Sequence, residues 1–358
     1  MAQKVIDLHC DSVYALMEGK DLRQSQKGIH LDLPRLREGR VALQVFAVFV
    51  PPEGEDIYSG GLGPFGLGSD KPFEYTVRRL DAIEAFAGAD ELLMQVETAA
   101  DLKACMAADK TGVMAAIENG LAIEESLEKL EELRRRKVRI MTLVHSQHLS
   151  WIASCTGKEP FGAGSPGTGG NGRAPGLSDF GGQVVDAMND LGIIPDVSHA
   201  SESAFWDVIK RSKKPIIASH SCAHNLCGAA RNLKDDQLKA LGDSGGLVGV
   251  NFYSGFLSES FRKANEQQMK GGKAEFDMSV KVPMTIIADH IDYMVKFAGE
   301  DCVGLGSDFD GIPAAPEGVT GSDFYPLLEA ELLSRGYTEK QTEKIFNANF
   351  IRVLEEWD

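Results

Sequence analysis

The sequence predicts an α/β fold, a (β/α)8 barrel of the TIM type, from three observations. Eight short apolar runs are typical of strands, amphipathic stretches with helical period lie between them, and most of the strands are apolar on both faces. Alternating strands and helices of this kind indicate a closed parallel sheet inside a ring of helices. The chain has 358 residues, 43% of them hydrophobic, and is therefore long enough to bury such a core.

The eight predicted strands are runs of aliphatic and β-branched residues, which fit a sheet buried on both sides. They lie at Lys4–Leu8, Val41–Val50, Val113–Ile117, Arg139–Val144, Gly192–Val197, Pro215–Ser219, Leu247–Asn251 and Cys302–Ser307. A doubly wound open sheet is the alternative. Its usual marker, a Gly-rich turn after the first strand, is replaced here by Asp11-Ser12-Val13, which favours the barrel.

The helices are predicted where apolar residues repeat at the spacing of one helix face. They lie at Leu127–Arg136, Phe180–Leu191, Glu202–Lys210, Lys234–Leu241, Ile286–Ala298 and Phe324–Arg335. Segments rich in glycine, proline or charge predict loop insertions near residues 51–72, 156–176 and 256–278. No repeat or long linker divides the chain, so residues 1–358 are predicted to form a single domain.

Composition restricts the partners of this chain. A formal net charge of −16 and a pI near 5.0 argue against nucleic acid and anionic membranes, which both require a basic surface. There is no run of 18 apolar residues, and the first strand starts too early to leave room for a signal peptide, so a cytoplasmic location is predicted. The six cysteines form no CxxC pair and are predicted to be thiols. A small molecule is the favoured substrate.

The first strand ends in a histidine and a carboxylate two residues apart. Side chains alternate along a strand, so His9 and Asp11 are predicted to project the same way while Cys10 points away. Such a pair can hold a metal ion, although a His-x-Asp motif alone is a weak signal. Other predicted strands also run into polar residues at their carboxyl ends, and this recurrence strengthens the prediction of a metal site.

Active sites of parallel barrels lie at the carboxyl ends of the strands, and four of the eight histidines occur there. The polar residues at predicted strand ends are His9, Asp11, Glu118, His145, Asp196, His199, His220, Asn251, Tyr253, Asp308 and Asp310. One such histidine would favour a hydrogen-bonded core residue. Four histidines converging with several carboxylates predict a metal site instead.

The number of candidate ligands favours two metal ions. His9, Asp11, Glu118, His199 and His220 are too many for one tetrahedral site that keeps a position open for water. A carboxylate shared by two divalent ions, with a bridging hydroxide, resolves the surplus. No lysine ends a predicted barrel strand, so a carboxylated lysine is excluded as the bridge and Glu118 is predicted to take that place.

These residues lie in motifs through which the chain resembles the renal (membrane) dipeptidases, zinc-dependent hydrolases of dipeptides. The likeness runs nearly end to end. The motifs are DLHCDS at 7–12, HLDLPRLREG at 30–39, AIENG at 116–120, MTLVHS at 141–146, DVSHAS at 196–201, ASHSCAH at 218–224, RNLKDDQL at 231–238, VNFYSGFL at 250–257 and VGLGSDFDG at 303–311.

The resemblance implies a (β/α)8 barrel that holds two Zn²⁺ ions per chain. It places His9 and Asp11 on one ion, His199 and His220 on the other, and Glu118 between them. It also implies hydrolysis of small dipeptides by a metal-bridging hydroxide, often including dipeptides with a D-residue at the second position. Family likeness further suggests a homodimer.

The resemblance assigns the substrate-contacting residues as well. It implies that His145 contacts the scissile carbonyl or its oxyanion and that Arg231 holds the substrate carboxylate. Asp308 would transfer a proton or bind the substrate's amino group, and Tyr253 is predicted to line the substrate site. Asp310 is expected to support the ligands or to cap the following turn.

The chain departs from the family pattern after His145-Ser146, where it reads QHLSW in place of CNTPW. It also lacks the signal peptide and lipid-anchor sequence of the animal members, so we expect a bacterial-type intracellular protein. The remaining histidines are expected to be structural (His30), surface or packing residues (His224, His290), or pocket-lining or solvated (His148).

Two alternatives stay open at this stage. One is another binuclear metal-dependent amide hydrolase on the same barrel, acting on a cyclic amide or an acylated amino acid. The other is a barrel that binds metal or ligand without turnover. The second predicts loss of a ligand or of Asp308, and the sequence retains all of these residues.

Overall fold

The computed structural model describes residues 3–52, 57–59, 62–157, 176–266 and 276–358. The strands are β1 (Val5–Cys10), β2 (Val41–Phe49), β3 (Ile57–Ser59), β4 (Leu62–Phe65), β5 (Leu93–Gln95), β6 (Thr111–Glu118), β7 (Ile140–Thr142), β8 (Ile194–Asp196), β9 (Ile217–Ser221), β10 (Leu247–Val250) and β11 (Val303–Leu305). Eight of them pair in parallel in the order β2, β1, β11, β10, β9, β8, β7, β6, and β2 pairs with β6 to close the barrel. The predicted (β/α)8 fold and its eight strands are confirmed.

Two short elements lie outside the barrel. Strand β5 pairs in parallel with the amino-terminal part of β6 and so joins the same sheet as a ninth strand. Strands β3 and β4 form an antiparallel hairpin within the predicted loop at 51–72. Most of the predicted loop at 156–176, and much of the loop at 256–278, lies outside the described residues. The division into a single domain stays a prediction.

The helices lie between the strands and after the last one. They are α1 (Val13–Met17), α2 (Leu33–Glu38), α3 (Pro72–Ala87), α4 (Ala99–Ala107), α5 (Leu127–Arg135), α6 (Asp179–Leu191), α7 (Glu202–Arg211), α8 (Asp235–Asp243), α9 (Ser254–Leu257), α10 (Glu259–Ala264), α11 (Thr285–Ala298), α12 (Tyr325–Ser334), α13 (Glu339–Glu343) and α14 (Asn349–Trp357). All six predicted helices are confirmed. Several begin at a serine or threonine whose side chain caps the first turn, at Thr98, Ser126, Ser178 and Ser201.

The barrel is filled by an inner cluster of aliphatic side chains, which explains why its strands are apolar on both faces. Ile6 and Leu8 of β1 pack there with residues of β2, β6, β7, β8, β9 and β10. Helix α14 covers the amino-terminal end of the barrel, where Trp357 packs into this cluster and donates from Nε1 to the Pro215 carbonyl. The carboxyl ends of the strands are therefore the end where polar side chains can meet.

No helix in the described part of the chain is long and apolar enough to cross a membrane.

Candidate metal centre

Seven polar side chains meet at the carboxyl ends of the barrel strands. They are His9, Asp11, Glu118, His145, His199, His220 and Asp308. The structure thus brings together all five predicted metal ligands, and it places beside them two of the residues predicted to contact substrate. The roles of these residues remain predictions, whereas the structure itself shows that their side chains meet.

Glu118, the last residue of β6, lies at the centre of the cluster and is 4% exposed. Its Oε2 lies 3.7 Å from Nε2 of His9. Its Oε1 lies 3.0 Å from Nε2 of His199 and 3.5 Å from Nε2 of His220. Oε2 thus faces His9 and Oε1 faces His199 and His220, and the His220 ring also packs against that of His9, with ring centroids 3.8 Å apart. A carboxylate that bridges two metal ions requires such a division.

His9 reaches the cluster through an irregularity in β1. Asp7 pairs with Gln44 and Cys10 pairs with Phe46, so three steps along β1 match only two steps along β2. Because of this extra residue, both Leu8 and His9 face the barrel interior, while Cys10 packs in the outer core. Bulges next to active sites commonly redirect a side chain in this way.

His9 and Asp11, the pair predicted to share one metal ion, lie together and make up the first half of the site. Nε2 of His9 lies 3.6 Å from Oδ2 of Asp11, and both side chains are buried. His9, Asp11 and Asp308 can present one donor atom each, all within 4.8 Å of one another. Among the described residues, Nε2 of His9 has no hydrogen-bond partner. A buried nitrogen of this kind, facing carboxylates, fits a metal ligand.

His199 and His220 form the second half of the site. Their Nε2 atoms lie 3.0 Å apart, and Oε1 of Glu118 faces both. Two neutral imidazoles can approach this closely only if a proton or a cation lies between the nitrogen lone pairs. His145 also contributes here, since its Nε2 lies 3.7 Å from Oε1 of Glu118. The geometry therefore brings His145 within reach of a metal ion as well as of a substrate.

Burial and neighbouring charge set the protonation of the cluster. Burial lowers the pKa of His145 to about 4, and it also lowers the pKa of His199 and of His220. Burial alone would raise the pKa of Glu118, but the charges of His9 and His145 and the close approach of the His199 and His220 rings hold that pKa well below its usual range. Neutral imidazoles around an ionised carboxylate are the form in which these groups bind metal ions.

On the opposite side of the cluster, the carboxylates of Asp11 and Glu118 lie close together and repel each other. Burial, and then the charge of Glu118, raise the pKa of Asp11 well above its usual range. Burial opposes protonation of His9, but Glu118 and Asp11 outweigh it and raise the pKa of His9 well above its usual value. In the protein without metal, a proton on His9 thus compensates the two carboxylates. A divalent cation would supply the same compensation, so the residues present fit a metal ion.

The backbone around the cluster adopts unusual conformations. His199 and Asp308 have φ values of 69° and 63°, in the left-handed region that residues other than glycine rarely adopt. Gly311 packs directly against the acidic pair: a Cβ atom there would lie 2.0 Å from Oδ2 of Asp11 and 2.4 Å from Oδ1 of Asp308. Strained conformations of this kind concentrate at functional sites.

Asp308 and Tyr253 follow neighbouring strands. Asn251 donates from Nδ2 to Oδ2 of Asp308 over 2.8 Å, which fixes the carboxylate beside the ligands. Tyr253 is buried, its ring packs edge-on against Phe256, and burial together with the charge of Asp308 raises its pKa. Tyr253 therefore lies near Asp308, at the edge of the cluster.

Arg231 lies beside the second half of the site and is 6% exposed. Its terminal nitrogens donate to the backbone oxygen of His220 over 3.0 Å and to the hydroxyl of Ser221 over 3.4 Å, and its guanidinium lies over the ring of Phe256. No carboxylate pairs with it among the described residues, and its Nε has no partner there. A buried guanidinium without an anion is a binding group for an anionic ligand.

A cavity of about 230 Å³ adjoins Arg231 and His199. Its walls include small residues such as Ala200 and Ala230 together with Cys155. His224 lies in its wall and is half-buried.

The other histidines have structural contacts. His30 accepts from the backbone N–H of Asp310 through Nδ1, while Asp310 accepts from Ser12 and from the backbone of His30. Asp310 thus supports the segment that carries Asp308. His290 is fully buried in α11, accepts from Ala223 and hydrogen-bonds the Leu257 carbonyl, so it is a packing residue.

His148 is hydrogen-bonded within the segment that follows His145. Its Nδ1 accepts from the backbone N–H of Ser154, whose hydroxyl donates to the backbone oxygen of His145. Gly157 packs against the His148 ring, where a Cβ would lie 2.3 Å from the ring. His148 therefore fixes the segment after His145.

The sequence alone predicted no role for Asp7, Ser219 or Ser307, and it placed Asp196 only among the polar residues at strand ends. Asp7 and Ser307 lie behind His9, and Asp196 and Ser219 lie behind His220. The available signal was a carboxylate inside an apolar run, at Asp7 and again at Asp196, because a buried carboxylate requires dedicated donors.

Comparisons with known proteins agree on the family. The family model for membrane dipeptidases, peptidase family M19, matches residues 1–358. Over 191 residues, or 53% of this chain, the sequence is 40% identical to an uncharacterized protein in the pqqA 5′ region of Klebsiella pneumoniae. That match spans 63% of the length of the relative.

Solved structures give the same result. Dipeptidase AC, a metallopeptidase of family M19, is 28% identical with a TM-score of 0.80, and the match covers 99% of both chains. A metallopeptidase from Rhodobacter sphaeroides, liganded with a phosphinate mimic of L-Ala-D-Ala, is 27% identical with a TM-score of 0.79 and full coverage of both chains, 100% of each. A probable dipeptidase from Pseudomonas aeruginosa, 23% identical with a TM-score of 0.76 over 99% of this chain and 94% of that one, shares the fold.

Proposed function

The chain belongs to the membrane dipeptidase family, and on that premise we propose that it is a binuclear zinc dipeptidase that hydrolyses small dipeptides. His9 and Asp11 would hold one ion, His199 and His220 the other, with Glu118 shared. Zinc suits a set of imidazole and carboxylate donors. When bound, two such ions polarise a carbonyl and lower the pKa of a water toward neutrality.

The observation that carries this proposal is the division of the Glu118 carboxylate. Oε2 faces His9 at 3.7 Å, while Oε1 faces His199 at 3.0 Å. A carboxylate that served a single ion would not need nitrogen donors gathered around both oxygens. Two ions on either side of Glu118 use every ligand in the cluster.

Arg231 defines the substrate as one with a free carboxylate close to the scissile bond. Its buried guanidinium lies next to His220, and it has no anionic partner among the described residues. A planar guanidinium can bind a carboxylate with two parallel hydrogen bonds. Because Arg231 is fixed to the backbone of a metal-ligand residue, only a short substrate can reach both it and the metal centre.

His145 would stabilise the negative charge that forms at the scissile carbonyl, and Asp308 would transfer a proton to the leaving amine. The pKa of His145 lies near 4, so the ring is neutral and can donate one N–H to the oxyanion that forms at the scissile carbonyl. Asn251 fixes one oxygen of Asp308, and the carboxylate can accept a proton and pass it to the leaving amine.

We extend the proposal to dipeptides with a D-residue at the second position. The support is the relative from Rhodobacter sphaeroides, which was crystallised with a mimic of L-Ala-D-Ala. The cavity beside Arg231 offers space for the side chain of the second residue. We also propose a homodimer, on family likeness alone, which sedimentation of the purified protein would test.

A panel of L,L- and L,D-dipeptides, together with N-acylated amino acids and cyclic amides, tests the function. The protein is stripped of metal, reconstituted with measured amounts of Zn²⁺, and assayed by product analysis. We expect hydrolysis of dipeptides that rises until close to two ions are bound per chain. Hydrolysis of the acylated amino acids or cyclic amides without the dipeptides would assign another amide hydrolase. Full activity with a single ion would exclude the binuclear centre.

A further inference from the structure

Two buried carboxylates behind the metal-ligand cluster accept the same set of donors. The first is Asp7 of β1, which is fully buried. It accepts from the backbone N–H of His9 at 3.3 Å, from the backbone N–H and hydroxyl of Ser307 at 2.8 and 2.6 Å, and from the hydroxyl of Tyr325 at 2.7 Å. We call Asp7 with Ser307 the Asp7 clamp.

The second carboxylate is Asp196 at the end of β8, also fully buried. It accepts from the backbone N–H of Ser198 at 3.0 Å, from the backbone N–H and hydroxyl of Ser219 at 2.9 and 2.5 Å, and from the hydroxyl of Thr142 at 2.5 Å. We call Asp196 with Ser219 the Asp196 clamp. Each clamp joins two neighbouring strands whose carboxyl ends carry residues of the cluster, and in each the acceptor is a carboxylate with the same pattern of donors.

The clamps differ in what the serine hydroxyl contacts besides the carboxylate. The hydroxyl of Ser219 also lies 2.7 Å from Nδ1 of His220. The hydroxyl of Ser307 instead lies 3.3 Å from the backbone oxygen of His9 and accepts from the backbone N–H of Phe309. The Asp196 clamp therefore contacts the ring of a proposed ligand, whereas the Asp7 clamp contacts only backbone around one.

Counting protons fixes the state of the His220 ring. Ser219 has a single hydroxyl hydrogen, and the carboxylate of Asp196 at 2.5 Å is the stronger acceptor for it. The hydroxyl oxygen can then only accept from His220, so Nδ1 must carry the hydrogen. In a neutral imidazole the lone pair is then on Nε2, which faces Glu118 at 3.5 Å.

We propose that Ser219, oriented by Asp196, is a positioning residue that keeps His220 in the Nδ1–H tautomer and so presents the Nε2 lone pair to the second metal ion. The inference deepens the proposed function and rests on it for the presence of a metal ion. Hydrogen bonds to the outer nitrogen of a ligating histidine fix its tautomer and orientation in metal sites, and their loss commonly costs about 10- to 100-fold in metal affinity.

The test uses matched serine variants. Ser219→Ala is expected to weaken binding of one of two zinc ions by about 10- to 100-fold, measured by competition with a chromophoric chelator. Ser219→Thr retains the hydroxyl and should restore the affinity. Ser307→Ala removes the equivalent hydroxyl from the Asp7 clamp, so it controls for loss of a buried hydrogen bond and should retain the affinity for that ion.

Asp196→Asn provides a second test that needs no metal. The Asn amide can donate to Ser219, whose hydrogen is then free to point at Nδ1 of His220, and the ring should change to the Nε2–H tautomer. Nitrogen-15 spectra of the metal-free protein should show His220 with Nδ1–H in wild type and Nε2–H in the variant.

The results separate the inference from the function. If Ser219→Ala binds both ions as tightly as wild type, or if Ser307→Ala weakens the same ion equally, the positioning role is wrong. Wild-type protein with His220 as the Nε2–H tautomer would also overturn it. A wild-type protein that shows the Nδ1–H tautomer but binds no zinc would support the clamp and contradict the proposed function instead.

Discussion

Glu118 is the residue on which the proposed centre depends most. Changing Glu118 to Gln keeps its size but removes the charge that faces His9 on one side and His199 on the other. We expect kcat/KM for a good dipeptide to fall by at least about 100-fold, which corresponds to roughly 2.7 kcal/mol of transition-state stabilisation. Measured zinc content should fall as well, because a neutral amide bridges two cations poorly.

Glu329→Gln is the matched control for that change. Glu329 is a buried glutamate, 8% exposed, that accepts from Arg40 and from the backbone of Gln3. This variant should lose stability but retain its zinc and its rate. Wild-type hydrolysis by Glu118→Gln would show that the carboxylate does not bridge.

Arg231 is expected to make the protein discriminate between a dipeptide with a free C-terminal carboxylate and the same dipeptide with a C-terminal amide. We expect wild type to prefer a dipeptide strongly over its C-terminal amide, and Arg231→Ala to lose most of that preference. Truncating one partner of a buried charge pair costs about 2–5 kcal/mol, or roughly 30-fold or more in kcat/KM. Arg231→Lys retains the charge but not the planar fork, so it should recover only part of the preference. Equal discrimination by all three proteins would assign the carboxylate to another group.

At this scale the sequence predicted which side chains meet at the candidate centre, but not the residues that hydrogen-bond behind them. His9, Asp11, Glu118, His199 and His220 were predictable because each follows an apolar strand, and parallel strands bring their carboxyl ends together. The extra residue in β1 was not predictable, since bulges depend on pairing with the neighbouring strand. The contact of Gly311 with Asp11 and Asp308 joins residues distant in sequence and has no local pattern.

Among the elements, the segment after β11 holds the acidic side of the site in place. Gly311→Ala would put a methyl group 2.0 Å from Oδ2 of Asp11, so the carboxylate must move. We expect one zinc ion to bind at least about 10-fold more weakly, measured by chelator competition. Gly304→Ala in β11 is the control, because its added Cβ would lie no closer than 3.4 Å to Leu247. Unchanged zinc binding by Gly311→Ala would show that Asp11 can move without loss of a ligand.

Helix α11 contributes an acid-sensitive contact through His290. The ring accepts from Ala223, in the segment after β9, and bonds the Leu257 carbonyl at the end of α9. Burial lowers the pKa of His290 to about 4 in the folded protein. Between pH 6.5 and 4 the unfolded chain therefore binds a proton that the folded chain does not, so stability falls as the pH falls through this window.

We expect His290→Gln to reduce this acid dependence. From pH 7 to pH 4.5 the free energy of unfolding of wild type should fall by about 2 kcal/mol more than that of the variant, since each unit of pKa shift corresponds to about 1.4 kcal/mol. Urea unfolding of both proteins at the two pH values measures this difference. Comparing the variant with wild type cancels the contributions of the other histidines. Parallel pH profiles would show that the ring takes a proton in the folded state.

Over the whole molecule, the barrel was predictable because alternation of strands and helices extends along the entire chain. The eight barrel strands were found even where only three residues pair, as in β7, β8 and β11. Strand β5 and the hairpin of β3 and β4 were missed, because three- and four-residue strands outside the barrel have no clear period. Helix α14 was missed as well, although it covers the amino-terminal end of the barrel.

The metal centre should also stabilise the whole barrel. Its ligands come from β1, β6, β9 and the loops after β1 and β8, so an ion bound there links both sides of the closed sheet. Without metal, buried carboxylates lie close together. Burial and the charge of Glu118 make ionisation of Asp11 unfavourable, and its pKa is raised for that reason. Ions that bind the folded but not the unfolded chain add stability by mass action, about 4 kcal/mol for a site at 1,000 times its Kd.

Removing zinc with a chelator should therefore lower the Tm, and adding zinc back should restore it. With two sites near saturation we expect a shift of roughly 10 °C, since 1 kcal/mol corresponds to about 2–4 °C in domains of 150–250 residues and to less in longer chains. Calorimetry at increasing zinc should show the Tm rising until two ions are bound per chain, as measured by elemental analysis. Glu118→Gln should show a much smaller rise, because it lacks the charge that both ions share. A Tm that does not respond to chelator or zinc would mean that the cluster is satisfied by protons alone and that the ligands do not form a metal site.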